Sequence, residues 1–153
     1  MSETKTGRKA IYTAEAHVTG GRVHGHGRTS DGALEVELRR PPELGGEGGG
    51  TNPEQLFAIG WPACFESALG SVARRERVEL GDVAIDAKVS LVPAEERTFV
   101  LAAELHVTLP SVESPDRAIE LVRAAHRVCP YSNATRGNID LKLTANGAPL
   151  EGA

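Results

Sequence analysis

The sequence predicts an α+β fold, and two periodicities carry that reading. Apolar residues alternate with more polar ones at Val83, Ile85, Ala87, Val89 and Leu91, again at Phe99, Leu101, Ala103, Leu105 and Val107, and at Ile139, Leu141 and Leu143. A period of two belongs to strands with one buried face, so each segment reads as a half-buried antiparallel strand. Elsewhere the period lengthens, in two stretches opened by helix start signals.

Taken in chain order, segments 11–18 and 34–38 read as strands on either side of a turn-rich stretch. There Gly20-Gly21 and Asp31-Gly32 supply backbone conformations with positive φ, and the whole forms an N-terminal meander. A helix begins at Asn52-Pro53-Glu54-Gln55, which offers an N-cap residue, a proline at the first helical position and a glutamine placed as in a capping box. Between residues 56 and 73 its only charged residue is Glu66, so the helix is expected to be apolar on most faces and buried. Pro62 deletes one hydrogen bond inside it, frees the carbonyl of Ala58 and bends the helix two residues before Cys64. Arg74-Arg75-Glu76-Arg77 then place positive charge on the negative pole of the helix dipole and mark a solvated end. The second helix is signalled by Ser114-Pro115, with Ala118, Ile119, Leu121, Val122, Ala125 and Val128 on one broad face. Because Pro130 disfavours helical geometry in the residue before it, this helix stops at Cys129, which sits at a helix junction. Arg136 is read as capping a short helix that Gly137 terminates.

A chain of 153 residues with 40% hydrophobic content is long enough for one core and too short for two, so a single domain is expected over 11–147, with a polar tail at 1–10 and a C-terminal tail at 148–153. The net charge of −4 provides no basic footprint for nucleic acid. The N-terminus is polar, no signal-peptide core follows it, and nowhere do 18 apolar residues run together, which points to a cytoplasmic protein with no membrane partner.

Two cysteines are the only thiols. Cys64 lies in the apolar run Gly60-Trp61-Pro62-Ala63-Cys64-Phe65, and Cys129 opens the segment Cys129-Pro130-Tyr131-Ser132-Asn133. They are too far apart in sequence for a CxxC dithiol or a compact zinc site, so any bond between them must be made by the fold. In a reducing compartment such thiols are more often catalytic, metal-binding or inert than a permanent staple. Attack on a peroxide requires the thiolate. With an ordinary thiol pKa of about 8.5 only a small fraction is ionised at neutral pH, and burial lowers it further. An arginine suits the task because it stays charged when desolvated, and it needs a carboxylate partner of its own. Cys64 is therefore either a small core residue or a nucleophile served by such a pair.

Other motifs lead to weaker chemistry. Gly45-Gly46-Glu47-Gly48-Gly49-Gly50 before a helix lacks the lysine ending of a phosphate loop, and Glu54 in the first turn would repel phosphate. His17, His24, His26, His106 and His126 are scattered and read as surface histidines, with no metal site. Trp61, Phe65 and Tyr131 are candidates to line a substrate pocket, and core or interface packing accounts for them equally well.

The motifs Thr19-Gly20-Gly21-Arg22, Ser30-Asp31-Gly32, Leu44-Gly45-Gly46, Thr51-Asn52-Pro53-Glu54-Gln55-Leu56-Phe57-Ala58, Ala63-Cys64-Phe65 and Cys129-Pro130-Tyr131-Ser132-Asn133-Ala134-Thr135-Arg136-Gly137-Asn138-Ile139 resemble the organic hydroperoxide resistance (Ohr) proteins of the OsmC/Ohr superfamily. The resemblance covers roughly residues 11–145. It implies an intertwined homodimer in which antiparallel sheets wrap central helices. It also implies a thiol peroxidase with Cys64 as peroxidatic cysteine, Cys129 as resolving cysteine, a disulfide between them in the cycle, and Arg22 and Glu54 as the pair that activates the thiolate and orients the peroxide. No bound cofactor is implied; the expected reductant is an external dithiol, dihydrolipoamide or a lipoylated protein. The chain departs from the family pattern at Trp61-Pro62 and in the loop from Val92 to Arg97, which is charged where a glycine-rich loop is usual. A rival reading uses the same two thiols in a non-catalytic redox sensor or a small-molecule binding module.

Overall fold

A computed structural model describes residues 4–153, so the first three residues of the expected tail at 1–10 lie outside the described residues. Both periodicities become the expected elements, arranged as α+β. The chain divides into two compact units, one ending at Pro53 and one running from Glu54 to Ala153.

The first unit is the meander: β1 (Ala16–Thr19), β2 (His24–Thr29) and β3 (Glu35–Arg39) pair antiparallel in that order. Two details differ from the sequence reading. The first strand starts at Ala16 instead of residue 11, because β2 ends at Thr29, opposite Ala16, and the preceding residues run past the end of the ladder. Ile11 and Tyr12 consequently stand out from the surface, 101% and 77% exposed. Within the stretch read as turns lies a whole strand, β2. Its sequence, His-Gly-His-Gly-Arg-Thr, has no apolar alternation to betray it, and its glycine is there for a close approach: a Cβ at Gly25 would fall 1.9 Å from the carbonyl oxygen of Gly21. The glycine-rich loop after β3 is tied back to it, as Thr51 exchanges backbone hydrogen bonds with Glu37 (2.8 Å) and Arg39 (2.9 Å).

The second unit contains α1 (Pro53–Glu76), β4 (Ala84–Pro93), β5 (Phe99–Thr108), α2 (Pro115–Val128), α3 (Pro130–Thr135), β6 (Asp140–Ala145) and β7 (Ala148–Pro149). Its sheet has the order β4-β5-β6-β7. β6 pairs parallel to β5, not antiparallel as its alternation had suggested. The two helices between them form a crossover that returns the chain to the starting end of the sheet, which a hairpin does not do. Residues 148–150, read as tail, are docked: β7 pairs with β6, and Leu150 is buried while its N–H donates to Leu143.

The core of this unit joins Trp61, Phe65 and Leu69 of α1 to Leu121, Val122 and Ala125 of α2 and to Leu105, Val107 and Leu143 of the sheet. Within the single chain α1 buries one stripe, Trp61, Phe65, Ala68, Leu69, Val72 and Ala73, spaced at three and four residues. The opposite face is open in the single chain, with Ile59 72% exposed beside Ala63, and turns polar at Glu66 and Ser67. By length and mean hydropathy (1.3) the helix would also suit a bilayer, but its buried stripe is part of this core.

Among the described residues, two chain reversals hold charged side chains in the left-handed region. In the charged loop between β4 and β5, Glu96 and Arg97 take φ of 56° and 61°, the left-handed geometry that glycine adopts without penalty. At the end of α1, Val78 N–H donates to Ala73 and Arg77 N–H to Arg74, a Schellman closure in which the left-handed position belongs to Arg77, φ 56°. Relief of that steric conflict makes Arg77→Gly stabilising by about 1 kcal/mol, less than the full left-handed penalty because glycine also loosens the unfolded chain. A urea midpoint that rises in the variant checks this; one that falls shows the helix-end charge to matter more.

Candidate thiol site

Pro130 and the stop of α2 produce the junction on which the site is built. Cys129 has φ −61° and ψ 123°, outside the helical region, as a residue before proline should be. It therefore ends α2 and begins α3 at once. Its N–H closes the last turn on Ala125, and its Sγ accepts the N–H of Ser132 at 3.5 Å in the place of an N-cap oxygen. Cys129 is fully buried.

Cys64 reaches this junction from α1 and is partly exposed. Both thiols are free, and Cys129 lies close enough to Cys64 to bear on its ionisation despite their separation in sequence. Burial is the largest influence on Cys64 and pushes its pKa up; a backbone hydrogen bond from Tyr131 works in the opposite sense, and the Cys129 thiol pushes it up again. The first turn of α3 thus directs the Ser132 N–H to Cys129 and brings the Tyr131 backbone near enough to Cys64 to favour its thiolate.

One face of α1 holds α3 in position. Trp61 Nε1 donates to Ser132 Oγ at 3.2 Å, and both residues are fully buried. Phe57 stacks on Tyr131 with centroids 5.8 Å apart and meets Trp61 edge-on at 5.6 Å. At Gly60 a Cβ would lie 2.9 Å from the Tyr131 hydroxyl, so the absence of a side chain lets the phenol lie across the helix. Residues 57, 60, 61 and 64 form a single helical stripe. On the far side Arg136 braces the junction, its guanidinium donating to the His126 carbonyl in the last turn of α2 and to Asn133 Oδ1 (2.9 Å) in α3. The capping role read for Arg136 is therefore exercised across both helices, with Gly137 in the left-handed conformation (φ 78°) after it.

The structure thus brings together Cys64 and Cys129. Glu54 is partly buried in the first turn of α1, ten residues before Cys64, or about 15 Å along a straight helix. Arg22 belongs to the other unit, in the turn between β1 and β2, and is partly buried. Trp61 and Phe65 are wholly within the core, whereas Tyr131 keeps 40% of its surface open. Phe57, Gly60 and Ser132 were not singled out from the sequence as site residues. The 57/60/61/64 spacing was a signal for the first two, while Ser132 becomes visible only once α3 folds over α1.

The histidine reading needs one correction. His26 pairs with Glu35 (2.9 Å) and His106 with Glu104 (2.8 Å) at the surface, but His126 is buried at 7% exposure beside Phe65, because its position on α2 turns it toward α1. Neither ring nitrogen has a hydrogen-bond partner among the described residues. Burial, followed by the positive charges of Arg136, Arg123 and Arg127, lowers its pKa. The unfolded chain therefore binds this proton first: the contribution of His126 to stability is intact above the unfolded pKa of about 6.5 and is lost as pH falls through the lower folded value. Thermal melts between pH 7 and pH 5 should show a steeper fall in Tm for the native chain than for His126→Leu; equal slopes would remove His126 from the pH response. Among the described residues no group of three or more His, Cys, Asp or Glu side chains is placed to hold a metal.

Comparison with known proteins gives a consistent set of relatives. The OsmC-like protein family model matches residues 46–144. An organic hydroperoxide resistance protein from Xanthomonas axonopodis pv. citri is 49% identical over 140 residues, 89% of this chain and 95% of that protein. Among solved structures, an organic hydroperoxide resistance protein from Legionella pneumophila superposes with a TM-score of 0.84 at 51% identity, over 88% of this chain and 97% of the other. The organic hydroperoxide resistance protein OhrB of Bacillus subtilis gives a TM-score of 0.80 at 43% identity, over 88% and 98%.

Proposed function

Because the chain belongs to the organic hydroperoxide resistance proteins of the OsmC/Ohr superfamily, we propose that it is a thiol peroxidase that reduces alkyl or fatty-acid hydroperoxides to alcohols. The observation that carries this reading is the close approach of Cys64 and Cys129, one partly open and the other fully buried, at a junction braced from both sides. Cys64 thiolate attacks the peroxide, the O–O bond breaks, and the departing alkoxide takes a proton to leave as alcohol. Cys64 becomes a sulfenic acid; Cys129 attacks its sulfur, hydroxide leaves as water, and a Cys64–Cys129 disulfide forms. Two electrons from an external dithiol, dihydrolipoamide or a lipoylated protein, restore both thiols.

Since burial raises the pKa of Cys64, the cycle requires a cation, and Arg22 supplies it with Glu54 as its orienting carboxylate. We assign this pair to the partner subunit of a homodimer, where the open face of α1 around Ile59 packs against its equivalent. Tyr131, with Phe57 beneath it, lines the apolar approach for the alkyl chain, and Trp61 and Phe65 support that wall from within the core. The reaction belongs to the cytoplasm, without nucleic acid, membrane or bound cofactor.

Turnover is the test. Supplied with dihydrolipoamide, the protein should consume many equivalents of cumene hydroperoxide per chain; a stop after one equivalent identifies the rival redox sensor. Mixing Cys64→Ser with Arg22→Ala chains should restore about half of one dimer's activity if the site is shared between subunits, and no recovery would place all four residues on one chain.

A further inference from the structure

Resting on the proposed disulfide, we infer that the reductant attacks the sulfur of Cys64, and that Cys129 is always the first leaving group. Two independent features lead there. The first is access: Cys129 is fully buried beneath the α2–α3 junction, whereas Cys64 keeps part of its surface open on α1. Thiol–disulfide exchange requires an in-line approach to the attacked sulfur, and access decides between two otherwise equivalent atoms. The second is what awaits the departing sulfur. Ser132 N–H already points at Cys129 Sγ, held there by the buried Trp61–Ser132 hydrogen bond and by Arg136 bridging the two helices. A sulfur expelled into that position finds a donor in place and needs no water.

The electron count closes in two steps. A thiolate of the external dithiol attacks Cys64 Sγ; the Cys64–Cys129 bond breaks, its electron pair leaves with Cys129 as thiolate, and a mixed disulfide joins the reductant to Cys64. The second thiol of the reductant then attacks its own sulfur in that mixed disulfide, closing a cyclic disulfide and expelling Cys64 as thiolate. Two protons from the reductant end on Cys64 and Cys129. The Ser132 amide thus receives the first leaving group, and Cys129 never bonds to an external molecule. Ser132 is a positioning residue in this scheme: it fixes the amide that receives Cys129 and touches no reductant.

The order of attack is read by trapping. The full-length protein is oxidised with diamide, so that the disulfide is made whether or not peroxide makes it, and then exposed briefly to the monothiol cysteamine, which cannot complete the second step. After acid quenching and proteolysis, mass spectrometry locates the cysteamine adduct. The adduct is expected on the Cys64 peptide in at least tenfold excess; a majority on the Cys129 peptide overturns the inference, as does failure of diamide to join the two cysteines. A parallel sample oxidised with cumene hydroperoxide tests the peroxidase reading separately: diamide-made disulfide attacked at Cys64 with no peroxide-made disulfide would overturn that reading and leave the order of attack standing. Ser132→Ala keeps the backbone amide and loses its tether, so its adduct should remain on Cys64 while the rate of cysteamine attack falls several-fold; an unchanged rate would remove Ser132 from the scheme.

Discussion

Cys64→Ser should abolish hydroperoxide consumption, by at least about a thousandfold, because the nucleophile is a thiolate and a serine hydroxyl stays protonated at neutral pH. The companion Cys129→Ser separates the two sulfurs. It leaves Cys64 in place, so one equivalent of peroxide should still be reduced. The cycle then stalls at the sulfenic acid, since no second sulfur is present to condense with it. A dimedone adduct on Cys64 in this variant, absent from the native chain after the same treatment, is the measurement. Full multiple turnover in Cys64→Ser would remove this residue from the chemistry, and no adduct in Cys129→Ser would place the first step elsewhere.

The second large effect is structural. Trp61 is wholly buried, meets Phe57 edge-on and donates to Ser132. Its replacement by alanine opens a cavity where α1, α2 and α3 meet and should cost about 3–5 kcal/mol, as truncation of a buried aromatic does. Part of the loss is polar: the buried Ser132 hydroxyl is left without its donor, a penalty of about 1–3 kcal/mol when no water replaces it. Trp61→Phe keeps most of the volume and loses the N–H, so it should fall between the native chain and the alanine variant. Guanidinium midpoints of the three proteins provide the comparison; a Trp61→Ala midpoint within about 1 kcal/mol of native would show that the junction does not depend on this side chain.

The parts of the fold legible in the sequence are those where one local signal decides. Ser114-Pro115 opens α2 as expected, with Ser114 Oγ accepting the Arg117 N–H, and Pro130 ends it at Cys129. The strong alternation of β4 and β5 was read to within two residues at each end. What escaped depends on partners distant in sequence. β2 is a strand because β1 and β3 flank it, and Gly25 is there for a close backbone approach, so no side-chain pattern announces it. The direction of β6 is set by the crossover before it, while alternation is the same for either direction. A helix apolar on most faces cannot say which face the chain itself will cover, and α1 covers only the one bearing Trp61 and Phe65.

The site follows the same division. The two cysteines were evident as candidates, since no other thiol is present, and the proline after Cys129 forecast its junction. Their proximity is a product of tertiary packing: it depends on Gly60 clearing a path for Tyr131 and on Trp61 reaching Ser132. His126 escaped because histidine at the edge of an amphipathic helix is compatible with either solvent or core, and only the position of α1 decides.

The central claim is that these two sulfurs act as one redox pair. Titration of free thiols before and after one equivalent of cumene hydroperoxide, with intact mass on the same sample, tests it most directly. The account predicts two thiols before, none after, and a mass lower by about 2 Da, the signature of one intramolecular disulfide. Two thiols still free and an unchanged mass would contradict it.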